Sequence, residues 1–315
     1  MNIKQTISWV VPCFNEEKVI TETLNRLEKV SKKIDKFNWE LILIDDGSRD
    51  NTKKIIKNIK NYPLKIILIS FSRNFGHQPA VQAGLDNCSG SAAIIIDADL
   101  QDPPEIAERM INEWEKGYKV VYGQRTIRKK ENFFKKISAF IFYRLLNFFS
   151  GIKIPVDTGD FRLIDKTVID ALKDFPEKGR FMRGLITLVG FNQISVKYER
   201  DPRFAGSTKY SLKKMISFAI EGLTNFSRRP LRLATFTGFF FSLFSFIGIA
   251  YVLYIRLFTQ SWVAGWAAIC ITILLSSGIQ LIFIGLLGEY IGNIFFETKS
   301  RPLYIIQERL VFNER

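Results

Sequence analysis

Short β-branched runs alternate with stretches of helical periodicity through the N-terminal part of the chain. We predict five strands from these runs, at residues 7–11, 40–44, 64–69, 92–96 and 119–122. Strands that alternate with helices are typical of a mostly parallel sheet with helices on both faces. The pattern therefore predicts an α/β fold of the Rossmann type.

Two long uncharged runs follow nearer the C-terminus. Residues 233–255 contain no charged side chain, and as a helix of roughly 23 residues they would reach about 35 Å, enough to cross a bilayer. After Arg256, an uncharged run extends to residue 288, in which we place a second span at about residues 263–287. Buried core helices are the alternative, but two such runs separated by one Arg argue against it. We predict a transmembrane hairpin of two helices.

The basic residues predict how this hairpin is oriented. Arg228, Arg229 and Arg232 precede the first run, whereas the connecting loop offers only Arg256. Because positive charge concentrates on the cytoplasmic side, we expect both termini in the cytoplasm. Two amphipathic segments, residues 133–149 and 212–226, predict helices that lie in the membrane interface, with packing on the protein's own sheet as the alternative. The predicted divisions are a catalytic domain at 1–208, an interfacial helix and linker at 209–230, two spans within 231–289 and a cytoplasmic tail at 290–315.

Composition narrows the class of partner. The net charge is +14, but the basic residues cluster before the apolar runs and do not interleave with aromatic residues. We therefore expect membrane lipids and phosphates as partners, and no nucleic acid. Cys13, Cys88 and Cys270 lack C-x-x-C spacing, which is typical of a reducing compartment and speaks against zinc or disulfides.

Polar clusters follow three of the predicted strands. They are Pro12 to Glu16, Asp45 to Ser48, and Asp97 to Asp99. Ligands of open α/β sheets bind beyond the carboxyl ends of the strands, so we expect the three clusters to converge on one crevice. Neither G-x-G-x-x-G nor G-x-x-x-x-G-K-[ST] occurs, which excludes the dinucleotide fingerprint and the P-loop.

The residues in these clusters suggest their chemistry. Asp97 and Asp99 form a pair suited to a hard divalent ion that neutralises a departing diphosphate. For the adjacent Asp102 the alternative is capping of a helix that begins near Pro103. Asp45 and Asp46 form an acceptor pair for a base or ribose, with an ordinary turn as the alternative. Arg73 and His77, the only histidine, supply donors near the same crevice, and we assign His77 no proton transfer.

Five motifs occur in order along the chain: V-P-C-F-N-E-E at 11–17, D-D-G-S at 45–48, R-N-F-G at 73–76, D-A-D-L-Q-D-P-P-E at 97–105 and D-T-G-D-F-R at 157–162. Together they resemble the polyprenyl-phosphate glycosyltransferases, of the dolichyl-phosphate-mannose-synthase-like and bactoprenol glucosyltransferase type, within the inverting family 2. The resemblance covers essentially the whole chain. It implies a GT-A-like nucleotide-sugar domain, a nucleotide-diphosphate sugar donor, Mg²⁺ or Mn²⁺, a polyprenyl phosphate acceptor and a bacterial plasma membrane. By this resemblance we expect UDP-glucose as the donor, and both a monomer and a homo-oligomer are compatible with it.

The resemblance also implies roles for individual residues. The residues implied to contact the nucleotide sugar are Pro12, Asn15, Glu16, Asp46 and Asp97. We add Asp45 and Arg73 to this set because of their position beside the same predicted crevice. The metal falls on Asp97, Asp99 and Gln101. The acceptor phosphate falls on Arg125, Lys135, Ser138, Arg200, Arg203 and Lys209, although attachment to anionic headgroups is an alternative for the last three.

A phosphate acceptor needs little activation, because its second pKa lies near ~6. Asp157 and Asp160 are therefore expected to orient the sugar or the acceptor, or to assist as a base, and displacement from one side would invert the anomeric configuration. A processive polysaccharide synthase and a non-catalytic sugar-nucleotide sensor are the rival hypotheses. The Q-x-x-R-W motif of such synthases is absent, because no Trp follows an Arg.

Overall fold

The computed structural model describes residues 4–59, 62–126, 158–175, 177, 182–200, 229–258 and 265–313. The described residues up to 200 and from 301 onward form one compact unit, and those from 229 to 300 form a second. The predicted interfacial segments at 133–149 and 212–226 lie outside the described residues.

The first unit contains a sheet of eight strands. They are β1 Thr6–Cys13, β2 Asn38–Asp45, β3 Lys65–Phe71, β4 Ala92–Ile95, β5 Val120–Arg125, β6 Thr158–Asp165, β7 Gln193–Tyr198 and β8 Ile306–Phe312. Their order is β7-β5-β6-β4-β1-β2-β3-β8. The five predicted strands occur as β1 to β5, with slightly different ends.

The sheet is mixed. Strands β4, β1, β2 and β3 run parallel, and β5 is parallel to β7. Strand β6 is antiparallel to both β4 and β5, and β8 is antiparallel to β3. The parallel strands are buried on both faces because helices cover them, which explains the continuous apolar run Leu41 to Ile44 in β2.

Helices of the first unit connect these strands. They are α1 Ile20–Lys33, α2 Thr52–Lys57, α3 His77–Asp86, α4 Ala107–Glu115, which follows a 3₁₀ turn at Pro104–Ile106, α5 Lys166–Lys173 and α6 Met182–Val189. On one face of the sheet, Trp9 of β1 stacks on Trp39 of β2 with ring centroids 5.3 Å apart. This apolar layer fixes the strands whose ends carry the polar clusters.

Strand β8 was not foreseen in the predicted tail at 290–315. Glu308 of β8 pairs with Lys53 and Lys57 of α2 at 3.1 and 2.7 Å. Just before β8, the ring of Tyr304 stacks on Phe71, the last residue of β3, at 5.0 Å. The end of the chain is therefore bound to the edge of the sheet.

The second unit contains two long helices, α7 Arg229–Phe258 and α8 Trp266–Thr298. Within the described residues, one stretch, Leu275–Thr298, is long and apolar enough to cross a membrane, with a mean hydropathy of 1.6. The apolar part of α7, Ala234–Gly248, is shorter. The hairpin of two spans therefore stays a prediction.

Candidate active site

The three polar clusters lie at one edge of the sheet. Strands β4, β1 and β2 are parallel neighbours, so their carboxyl ends point the same way. The ends are also tied together, because Asp46 N donates to Cys13 O at 2.9 Å and Ile96 N donates to Val10 O at 3.0 Å. The three clusters therefore converge on one edge of the sheet, as expected from the strand order.

Side chains join the loops after β1 and β2. Asn15 adopts a left-handed conformation with φ 55°, which Asn tolerates better than most residues. Its Oδ1 accepts from Arg49 N at 2.8 Å, and its own N donates to Ser48 Oγ at 3.0 Å. Glu16 N donates to Thr52 Oγ1 at 2.8 Å. Asn15 and Glu16 are thus placed beside the second loop, and Pro12 is buried within β1.

Asp46 holds the loop that follows β3. Its carboxylate accepts from Asn74 Nδ2 at 2.8 Å, from Phe75 N at 2.6 Å and from Gly76 N at 3.0 Å. Burial raises the pKa of Asp46, while the two backbone N–H groups act in the opposite direction. The sequence predicted a nucleotide contact for Asp46, and the structure adds this role in fixing the loop.

Gly47 lies against the same loop. It has φ +67°, and a Cβ there would stand 2.5 Å from Arg73 C and 2.7 Å from Asn74 N. Only glycine permits this approach of two backbones. The neighbouring Asp45 is buried and accepts from Ser48 N at 3.0 Å, whereas Arg73 is exposed, with its guanidinium 4.1 Å from the Phe75 ring centroid.

His77 joins the end of β4 to β6. Its Nε2 lies 3.4 Å from Asp97 Oδ1 and 3.2 Å from Asp160 Oδ2. Although burial favours the neutral ring, Asp97 and Asp160 raise the pKa of His77 to about 9, so the ring is charged at neutral pH. Asp160 also pairs with Arg183 Nε at 2.8 Å. Against the effect of burial, Arg183 and His77 hold the pKa of Asp160 well below its usual range.

The acidic pair after β4 fits a divalent cation. Burial raises the pKa of Asp97 to about 6, and the carboxylates of Asp160, Asp102 and Asp99 act in the same direction. The charge on His77 acts against them and lowers the pKa. Asp99 Oδ1 accepts from Gln101 N at 3.2 Å. In the described part of the chain no three His, Cys, Asp or Glu side chains form a ready metal site, so substrate phosphates would complete the ligand set, as is common for Mg²⁺.

Two predicted acceptor residues meet at one carboxylate. Arg125 Nη2, at the end of β5, lies 3.4 Å from Asp102 Oδ2, and Arg200 Nε, just beyond β7, lies 3.4 Å from Asp102 Oδ1. Tyr198 OH donates to Asp102 Oδ1 at 2.5 Å. We name Asp102, Tyr198, Arg125 and Arg200 the arginine cradle.

The alternative of helix capping by Asp102 is wrong. Pro103 occupies the N-cap position of the 3₁₀ turn, and no side chain caps it. Sequence reasoning also missed Tyr198 and Arg183, which carry no local signal and become neighbours of the site only through the order of the strands.

Five predicted residues, Lys135, Ser138, Asp157, Arg203 and Lys209, lie outside the described residues. The predicted site residues that the structure does describe form three groups along one edge of the sheet. These groups are the loops around Asp46, the acidic pair with His77 and Asp160, and the arginine cradle.

Comparison with known proteins gives consistent matches. The sequence profile of glycosyl transferase family 2 matches residues 8–173. A Bacillus subtilis protein, uncharacterized glycosyltransferase YkcC, is 50% identical over 96% of this chain and 93% of its own length. The bactoprenol glucosyl transferase of Shigella phage SfX is 40% identical over 96% of this chain and 99% of its own length.

Among solved structures, glucosyl-3-phosphoglycerate synthase from Mycobacterium tuberculosis, in complex with Mn²⁺, UDP and glucosyl-3-phosphoglycerate, aligns with a TM-score of 0.49. It is 17% identical and covers 70% of this chain and 78% of that chain. The family match agrees with the mixed α/β sheet described above, which is GT-A-like.

Proposed function

The chain belongs to glycosyl transferase family 2, and we propose that it transfers one sugar from a nucleotide-diphosphate sugar to a polyprenyl phosphate. It is a glycosyltransferase, and the proposal concerns its two substrates. The observation that carries it is the position of an acidic pair, suited to a metal-bound diphosphate, next to an arginine cradle, suited to a second phosphate. Relatives named bactoprenol glucosyl transferase match 96% of the chain and support the lipid acceptor.

On the donor side, the loops around Asn15, Glu16 and Asp46 would hold the nucleotide. They are connected by hydrogen bonds before any ligand binds, so little ordering is needed. Asp97 and Asp99 would hold Mg²⁺ or Mn²⁺, which supplies charge neutralisation at the leaving diphosphate when bound. UDP-glucose is the donor we propose.

On the acceptor side, Arg125 and Arg200 would hold the phosphate of the lipid. A phosphate monoester is largely ionised at neutral pH, because its second pKa lies near ~6. The enzyme therefore has to align the phosphate oxygen behind the sugar C1 more than it has to remove a proton. Asp160 is suited to orientation, because its pairs with Arg183 and His77 favour the ionised form and weaken it as a base.

The product would be an inverted, lipid-phosphate-linked monosaccharide made at the cytoplasmic face of the membrane. We propose that α7 and α8 form the two-span hairpin, with the catalytic unit and both termini in the cytoplasm. A lipid acceptor cannot leave the bilayer readily, so an anchored enzyme meets its substrate where that substrate resides.

The test uses the purified full chain with radiolabelled UDP-glucose and a polyprenyl phosphate, with and without EDTA. The matched control acceptor is the same polyprenol without its phosphate. We expect one labelled lipid with a single sugar, formed only with phosphate and divalent metal. Polymer would favour a processive synthase, and the absence of any metal-dependent product would favour a non-catalytic sensor. A screen of other nucleotide sugars then tests the choice of glucose.

A further inference from the structure

A single buried carboxylate anchors both arginines of the cradle. Asp102 is 1% exposed, and it meets Arg125, Arg200 and Tyr198 at the distances given above. A carboxylate buried this deeply is costly unless it is paired. Here the pairing brings together the guanidinium groups of Arg125, at the end of β5, and Arg200, just beyond β7.

Tyr198 fixes the geometry of this pairing. Its hydroxyl donates to Asp102 and accepts from Arg125 Nε at 3.3 Å. Its ring packs edge to face on Phe161 with centroids 5.7 Å apart, and it leaves room only for hydrogen at Gly123, whose Cβ would stand 2.7 Å from it. Burial and Asp102 raise the pKa of Tyr198, so the hydroxyl keeps its proton.

The backbone of β6 packs against the guanidinium group of Arg125. A Cβ at Gly159 would stand 2.5 Å from Arg125 Nη2 and 3.6 Å from Asp102 Oδ2. The guanidinium therefore rests directly over the glycine. The next residue is Asp160, which connects through His77 to Asp97, so the cradle adjoins the acidic pair.

The charges of the cradle leave capacity for an anion. Two guanidinium groups share one carboxylate, which gives the cradle a net positive charge. Each guanidinium has five N–H donors in a planar fork that matches a phosphate. Arg200 Nε lies 3.4 Å from Asp102 Oδ1 but makes no hydrogen bond of good geometry within the described residues.

We infer that Asp102 and Tyr198 are positioning residues that aim Arg125 and Arg200 at the phosphate of the acceptor. The inference rests on the proposed function and adds how the acceptor phosphate is selected. A donor diphosphate has the same chemistry, and the experiment separates the two sources by measuring both substrates.

The main test is Tyr198→Phe, which removes one oxygen and keeps the packed ring. We expect the KM for polyprenyl phosphate to rise about tenfold, since a hydrogen bond within a charged group is lost. The KM for the nucleotide sugar and the binding of UDP, measured by calorimetry, stay as in the wild type. Tyr62→Phe is the matched control, because its buried hydroxyl donates to Leu24 O at 2.8 Å. It should change neither KM.

A second variant displaces Arg125 without touching Tyr198. Gly159→Ala places a methyl group 2.5 Å from Arg125 Nη2, and because this atom is the end of a flexible side chain it can move aside, so the fold survives. We expect the same selective rise in acceptor KM. In an Arg125→Lys background, Tyr198→Phe should add little, because Tyr198 acts through Arg125.

The outcomes are distinguishable. A wild-type chain that forms no lipid product refutes the proposed function itself. An active wild type whose Tyr198→Phe variant keeps its acceptor KM, or loses donor and acceptor affinity equally, overturns the inference alone. So does full additivity with Arg125→Lys, which would indicate a merely structural hydroxyl.

Discussion

Gly47 is where a small change should disturb the donor side of the site most selectively. Its φ of +67° lies in the left-handed region, which costs a residue with a side chain about 1–2 kcal/mol. The added Cβ of Gly47→Ala would also stand 2.5 Å from Arg73 C, whereas ordinary contact begins at 3.4 Å. Because the nearest atoms are backbone, the loop after β3 has to move.

That movement acts on the hydrogen bonds to Asp46. The shortest are from Phe75 N at 2.6 Å and Asn74 Nδ2 at 2.8 Å. Loss of one hydrogen bond to a charged group costs about 1.5–3 kcal/mol, and with the conformational cost we expect the free energy of unfolding to fall by about 2.5–5 kcal/mol in total. The KM for the nucleotide sugar should rise, since this loop borders the proposed nucleotide site.

Gly117→Ala separates the two contributions. Gly117 has φ +101°, but nothing lies within 4 Å of an added Cβ, so this variant carries conformational strain alone. Denaturant unfolding, followed by tryptophan fluorescence, and titration of both substrates give the comparison. If Gly47→Ala resembles Gly117→Ala in stability and in donor KM, the reasoning about the loop is refuted.

Two further predictions concern the support of the sheet. Burial raises the pKa of Asp165, but hydrogen bonds from Thr167 and Trp114 outweigh this effect and lower it. The ionised Asp165 therefore stabilises the fold above about pH 3.9, the ordinary pKa of an Asp, and this stabilisation is lost as the pH falls through the lower pKa of the folded state. Asp165→Asn should therefore lower the free energy of unfolding by about 2 kcal/mol at pH 7 and by progressively less below pH ~4. The control is Asp170→Asn, which removes an exposed ion pair and should change the free energy of unfolding little in the same pH series. Tyr304→Ala removes the aromatic stack at the end of β3, so it should lower the free energy of unfolding by about 2 kcal/mol. In substrate titrations it should also raise the KM for the nucleotide sugar more than the KM for the acceptor, and an unchanged KM for the nucleotide sugar would contradict this expectation.

The strands that carry the polar clusters could be predicted from the sequence alone. β1, β2 and β4 each pair a β-branched run with a polar end, and both signals are local. Strand β8 could not be predicted from the sequence, because no local feature of Ile306–Phe312 specifies pairing with β3. Pairing between strands so distant in sequence depends on tertiary packing.

The same distinction explains the outcome at Asp102. Its neighbours Pro103 and Pro104 favour a helix start, so the local pattern pointed to capping. The partner that decides its role, Tyr198, lies 96 residues away in the sequence. The carboxylates at the strand ends and the nearby His77 could be placed from sequence, whereas Arg183 and Tyr198, their partners from distant elements, could not.

Turnover by Asp99→Ala tests the central claim most directly. Wild type and variant are compared at equal amounts of membrane-inserted protein, with labelled UDP-glucose, polyprenyl phosphate and Mn²⁺, and the lipid-linked sugar is counted. The acidic pair at the end of β4 should be indispensable, so we expect labelled lipid from the wild type and none from the variant. Lipid product from Asp99→Ala at the wild-type rate would contradict the account.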